Sequence, residues 1–441
     1  MRKTSRSVPT VGLGSAVVAL VLSACADTPS APPSTLSTPT LAVVGSNASV
    51  FGNFEPLATQ ATCAAPPATL AGFATYQPFT LPDGYSQTIL AMEVTDYIPV
   101  AGSGAGNNDM MTLNETGPQA GRYMYRTHEV GSNGAVTVTD LWTGTTSLVV
   151  QRSHFEALDG IAWTPWNTLI FAEERVVATL KDPAVPNAVG GLVYEYDPAT
   201  GITVPRPAVG ARSHEGLRFD TEGNLYGISE STPGSNGSGA IYKFVPDKKG
   251  DLSSGQLYAL KVLDASRTGE AIWVPLDRQA VQINSDAPAI AAGATGWVRP
   301  EDLEMGTSTG NNRGGPNVMY VPMTGEDLVV KFELKGDGAF VTNYVEGVTG
   351  FTDPDNVALD SQGNLYILED KAAGDIWVAR PGQGNNDLPS EVVRFASLTD
   401  CSAEPTGAYF DRTGKIMYIH VQHAGGPLAN DLFVAITRDK P

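Results

Sequence analysis

One pair of short elements recurs six times along the chain, and that repeat constrains the fold more than any other feature. The first element is a strand-like run entered by a turn glycine or asparagine: Gly121–Tyr125, Asn167–Phe171, Gly223–Tyr226, Asn317–Tyr320, Gly363–Tyr366 and Gly414–Tyr418. The second precedes each of these and sets one acid before an apolar run, at Asp109, Asp159, Glu215, Glu301, Asp355 and Glu404. Copies stand about 50 residues apart, the length of one propeller blade. A single blade cannot bury both faces of its sheet, whereas a ring of stacked blades can. The expectation is an all-β, six-bladed β-propeller, with five or seven blades as alternatives. The interval from Glu215 to Glu301 is longer and holds either an insertion or one further blade. Abundant glycine (47) and proline (31) suit many short strands joined by turns.

Three segments are expected. Residues 1–24 read as a lipoprotein signal peptide: Arg2, Lys3 and Arg6 precede the short apolar run Val11–Leu22, and Leu22-Ser23-Ala24-Cys25 has the form of a lipobox. Cys25 is the expected lipidation site, so the protein is read as exported and anchored in the bacterial cell envelope. Its membrane contact would be through that N-terminus alone. Residues 25–41 form a disordered tether rich in Pro, Ser and Thr. Residues 42–441 form the propeller. Cys63 and Cys401 remain, one near each end of the folded part. In an oxidising compartment they invite a disulfide that latches the ring, with two buried thiols as the alternative.

The acids carry the chemistry. The innermost strand of each blade lines the central channel, so one acid per repeat predicts a carboxylate ring of Asp109, Asp159, Glu215, Glu301, Asp355 and Glu404. A second set follows the aromatic strands, at Glu129, Glu173, Glu174, Glu230, Glu369 and Asp370, on the same space or on the opposite rim. So many like charges in one funnel repel strongly unless protonated or bridged by cations. Oxygen donors favour Ca²⁺, while His128, His214 and His423 would admit a transition metal nearby. Arg299 and Arg212 each stand shortly before a ring acid and could grip an anion or balance the acids. A net charge of −19 discounts nucleic-acid partners. No His-Glu-x-x-His and no phosphate-binding glycine loop occurs.

From Gly104 to Gly426 the sequence resembles the PhoX-type alkaline phosphatases. The pieces are Asn107-Asn108-Asp109, Thr127-His128-Glu129, Thr164-Pro165-Trp166 leading to Glu173-Glu174, Ser213-His214-Glu215, Arg299-Pro300-Glu301, Asp355-Asn356, Glu404-Pro405-Thr406-Gly407 and Gln422-His423-Ala424-Gly425. The resemblance implies a propeller with calcium and an iron pair, hydrolysing small phosphate esters. It implies that Glu215 and Glu301 hold catalytic metals and that Arg299 contacts phosphate. Asp109, Glu173, Glu174, Asp355 and Glu404 are implied as metal ligands or near them. The cysteine that the family carries before its paired glutamates is replaced here by Ala172, so an iron pair held by thiolate is not expected to form in the same way. The expectation is a monomeric, calcium-dependent phosphatase. A non-catalytic calcium-stabilised binding lipoprotein and a lactonase-like hydrolase are the alternatives.

Overall fold

The computed structural model describes residues 51–97, 106–234, 238–306, 317–382 and 388–439. The signal peptide, Cys25 and the tether lie outside the described residues. The fold is an all-β, propeller-like arrangement of five antiparallel sheets. Three sheets have four strands, one has five and one has nine.

Each repeat supplies an inner strand at one edge of a sheet. These are Met111–Leu113, Leu158–Trp163, Leu217–Phe219, Glu304–Met305, Pro354–Leu359 and Glu404–Phe410. The aromatic run follows as the second strand, for example Leu365–Glu369 against Pro354–Leu359. Turns of the form Asp-x-x-Gly-Asn join two such pairs. Asp360 Oδ1 accepts from the backbone N–H of Gln362 and Asn364, and Asp220 does the same for Glu222 and Asn224. These local bonds mimic a backbone turn and fix the hairpin register.

Six separate sheets were expected, and the third and fourth repeats instead share one. The long interval after Glu215 holds the hairpin Ile241–Lys248 and Asp251–Val262, then a strand, Gly269–Pro275, that pairs both with Asp251–Val262 and with Gly338–Val345. That strand joins two four-stranded arms into the nine-stranded sheet, whose two ends are the inner strands Leu217–Phe219 and Glu304–Met305. The interval is therefore an insertion and not a further repeat.

Apolar layers fill the spaces between successive sheets, and they close a circle. Phe155, Phe171 and Tyr194 lie in one such layer, Ile170, Val193 and Tyr242 in the next. The two arms of the large sheet share Ile241, Leu260 and Phe332. The last layer, with Met124, Tyr418 and Phe433, joins the end of the chain to its beginning. Strand Tyr85–Met92 completes that closure by pairing with Leu432–Arg438, so a four-stranded sheet contains both ends of the folded part.

The segment before it packs as well. Phe51, Phe54, Phe73 and Phe79 are buried with Tyr366, Phe395 and Met417. Cys63 forms a disulfide with Cys401, with Cα atoms 5.0 Å apart. Beside it Ala64 N–H donates to Thr399 O at 2.8 Å. The crosslink spans a sequence separation of 338 residues, so its removal frees a long loop in the unfolded chain. The Cys401→Ser variant is expected to lose about 2–5 kcal/mol of unfolding free energy in denaturant titration. An unchanged midpoint would show that the N-terminal segment holds without the latch.

Candidate metal centre

Four of the six inner strands are entered through backbone geometry that most residues avoid. Asn107, Ala157, Arg299 and Asp353 all have positive φ, between 50° and 52° for three and 46° for Ala157. Each stands two residues before a ring acid: Asp109, Asp159, Glu301 and Asp355. Left-handed conformations at non-glycine residues cost free energy and persist only where the surroundings enforce them. The sheet register also shifts between Leu158 and Ile161 and between Pro354 and Val357, inserting bulges at Asp159 and Asp355. A bulge re-aims the side chain it carries.

Neighbouring inner strands then lock together through the residue after the ring position, which is Thr406 in the last strand. A Cβ on Gly160 would lie 2.1 Å from Glu215 O, and one on Gly407 would lie 2.0 Å from Asp109 O. Only glycine permits those approaches. Where the following residue is polar it accepts a hydrogen bond from the next inner strand. Asp302 Oδ2 accepts from Val357 N–H at 3.1 Å, and Asn356 Oδ1 accepts from Gly407 N–H at 2.6 Å. The motif Asp355-Asn356 contains Asn356, and Asp302 directly follows Glu301, but neither sequence position reveals this stitching role.

Two groups of carboxylates result, Asp159–Glu174–Glu215 and Glu215–Glu301–Asp355. In each, one oxygen per residue lies within 4.8 Å of the others, and Glu215 belongs to both. Both oxygens of Asp159, Oε2 of Glu215 and Oε1 of Glu301 are buried without a hydrogen-bond donor. At such separations two ionised groups repel by about 3 kcal/mol, at an effective dielectric constant of about 20. Burial, followed by the charge of Asp159, holds the Glu215 carboxyl well above the usual carboxylate range. Burial pushes Asp159 up to about 7. Glu174, Glu301 and Asp355 are raised by burial first and then by Glu230, Glu230 and Asp109 respectively. Asp109 is raised by burial and by Asp159, and Thr406 Oγ donates to it.

Arg299 is the cation that reaches this cluster. Its Nε donates to Glu230 at 3.1 Å and its Nη2 to Asp370 at 3.2 Å. Nη2 also stands 3.0 Å from Glu301 Oε1, off the line of a hydrogen bond. Burial works against the guanidinium charge, but Glu301, Glu230 and Asp370 outweigh it and hold Arg299 above its ordinary range. Its side chain keeps 41% exposure, so one face is open to a ligand in the funnel.

Several expected positions differ. Glu173 does not join its neighbour Glu174. Its carboxylate accepts from the N–H of Glu156 at 3.2 Å and of Leu192 at 3.0 Å, because successive strand residues point to opposite faces. Glu369 is likewise turned away, held by Trp377 Nε1, two backbone N–H groups and Lys371. Glu404 pairs with Gln422 and stands two residues before Thr406, whose hydroxyl reaches Asp109 and Asn356, so it precedes the ring position. It contacts His423 at 3.3 Å, and burial followed by Asp370 pushes its carboxyl up to about 9. Arg212 is buried, donating to Ile228 O and Val209 O over the Tyr242 ring. His128 and His214 are bound to backbone or hydroxyl groups, at Gly106 O and Thr137 Oγ1 and at Gly210 O. From the second acid set, Glu129, Glu174, Glu230 and Asp370 are the members that face the ring.

A sequence-family description, alkaline phosphatase PhoX, matches residues 84–425. The chain belongs to the PhoX family. Among solved structures, Pseudomonas fluorescens PhoX in complex with vanadate, a transition state analogue, is similar over 88% of this chain and 98% of that one, with a TM-score of 0.63 at 17% identity. A Xanthomonas campestris gluconolactonase aligns over 88% of this chain and 99% of its own, with a TM-score of 0.47 at 15% identity. No curated protein sequence matches.

A PhoX-family chain implies metal, and the residues can be tested for fit. Buried carboxylate oxygens without donors suit a hard cation bound through oxygen. A thiolate is missing at the position where the resemblance places one. Ala172 is fully buried among Ile170, Val193 and Ala208, with no donor atom to offer. The donor set therefore fits Ca²⁺ and does not fit an iron pair held by sulfur.

Proposed function

We propose that the protein is a calcium-dependent phosphatase that hydrolyses small phosphate esters outside the cytoplasm. The observation that carries this reading is the convergence of buried oxygens without hydrogen bonds from Asp159 and Glu215, with Glu301 paired to a half-open Arg299 beside them. Glu174, Asp159 and Glu215 would hold one cation, and Glu215, Glu301 and Asp355 a second, with Asp109 alongside. The cations supply positive charge to the phosphoryl oxygens and make water a better nucleophile.

The chain's own residues do the rest. Arg299 offers a planar pair of donors that matches two phosphate oxygens, which orients the ester and stabilises charge as it develops. Its contacts with Glu230 and Asp370 hold that plane in place before substrate arrives. Asp159, Glu215 and Glu301 are buried, and the low local dielectric strengthens each of these interactions. We further read the nine-stranded sheet as two blades joined at their outer edges, giving six around the axis.

The test is turnover of p-nitrophenyl phosphate by full-length protein in Ca²⁺, Mn²⁺ or Fe³⁺, against a Glu301→Ala control. Hydrolysis in Ca²⁺ that the control lacks is expected. Equal background for both proteins in every metal would reject the phosphatase reading, and thermal stabilisation by Ca²⁺ in that case would leave a metal-binding propeller.

A further inference from the structure

The same inner strands build a second site. Counting three residues on from each ring position gives Thr112, Ala162, Arg218, Glu304, Ala358 and Tyr409, where Thr406 is taken as the ring position of the last strand. All six line one cavity of about 600 Å³. Three residues of extended chain span about 10 Å, so the cavity lies on the same axis as the carboxylates but at the other end of the inner strands. It shares no residue with the acid groups above.

Its lining sorts by chemistry. Arg218 sits at the floor, with Nη2 3.5 Å from Glu304 and 3.9 Å from Asp302, both long contacts, and Nη1 3.0 Å from Leu217 O. Glu115 accepts from Tyr409 Oη, and Trp163 Nε1 donates to Thr116 at 2.8 Å. Phe219 and Phe410 are partly exposed beside these groups. The wall thus alternates donors, acceptors and half-buried rings, in a volume suited to a small molecule.

Charge narrows the ligand. Asp220, Asp360 and Asp411, tied into their turns, add negative charge around Glu115 and Glu304, which repels an anion. Two guanidiniums in the same lining, Arg218 and Arg412, set positive charge among these acids and oppose a cation there. We propose that this cavity is a second ligand site, built for a neutral polyhydroxylated molecule of one or two sugar rings. Hydroxyls of such a ligand pair with both carboxylate and guanidinium, and its apolar faces rest on Trp163, Phe219 and Phe410. The inference does not depend on the chemistry of the carboxylate ring.

Calorimetric titration of the full-length protein with glucose, maltose and cellobiose tests it, with choline and glucose 1-phosphate as charged comparators. Saturable binding of at least one neutral sugar is expected, weakened about tenfold or more in Glu115→Ala, since a hydrogen bond to a charged group is lost. Glu115 is exposed, so this variant is expected to fold. Arg218→Met should weaken the same sugar further. Absence of saturable sugar binding into the tens of millimolar, binding of a charged comparator in place of the sugars, or sugar binding that survives Glu115→Ala would each overturn the proposal.

Discussion

Glu215→Ala should remove both metal-binding groups at once, and with them hydrolysis and metal-dependent stability. Glu215 alone is common to the two clusters, so its loss takes a donor from each, whereas Glu174 or Asp355 takes a donor from one. Turnover should fall by about 10³-fold or more, the scale seen when charge stabilisation of a transition state is lost. Bound calcium, measured by elemental analysis, should fall with it. The apo protein should move the other way. Glu215 is buried, repelled by Asp159 and Glu301, and lacks a donor for Oε2. Taking it out relieves that repulsion and stabilises the metal-free fold by about 1–3 kcal/mol. A variant that is more stable without metal, yet no longer stabilised by adding it, separates a ligand from an acid that merely packs. Calcium binding and a thermal shift equal to those of the unsubstituted protein would remove Glu215 from the centre.

How far the sequence reveals this centre depends on what each inference required. The repeat of acid and aromatic strand needs only local pattern, and it placed Asp109, Asp159, Glu215, Glu301 and Asp355 at corresponding positions of their inner strands. Register is a different matter. Glu404 is the only acid of the motif Glu404-Pro405-Thr406-Gly407, yet it is Thr406 that reaches Asp109 at the ring position. In Glu173-Glu174 alternation guarantees that one acid faces the ring and the other the sheet, but residue type is silent on which. Leu158 opposite Glu173, with the bulge beyond it, decides the matter. Arg212 and Arg299 look alike in sequence because both precede a ring acid. They part where Arg299 takes φ of 50° and swings into the funnel, while Arg212 lies buried over Tyr242. The pairing of Gly269–Pro275 with Gly338–Val345 joins segments far apart in the chain, and no local signal announces such a partnership.

Stripping the metal should make stability fall as pH rises, and restoring it should abolish that slope. Asp159 has a carboxyl pushed up to about 7 in the fold, against about 3.9 for an unfolded aspartate. The folded state therefore binds its proton more tightly than the unfolded state does. Stability from this group is fully present below about pH 4 and is lost as pH climbs through 7, about 4 kcal/mol at most. Glu404, pushed up to about 9, extends the loss into alkaline conditions, and Glu215, Glu301 and Asp355 shift in the same direction. A bound cation replaces those protons, so the fold no longer needs them and the gap between loaded and chelated protein should widen from pH 5 to pH 9. Two measurements check the argument. Melting temperatures in Ca²⁺ and in a chelator should diverge across that range, and adding Ca²⁺ to chelator-free apo protein in weak buffer near pH 6 should release protons. Parallel melting curves together with no proton release would mean that the inward acids are neutralised by something other than a cation, and the oxygen-donor centre would have to be given up.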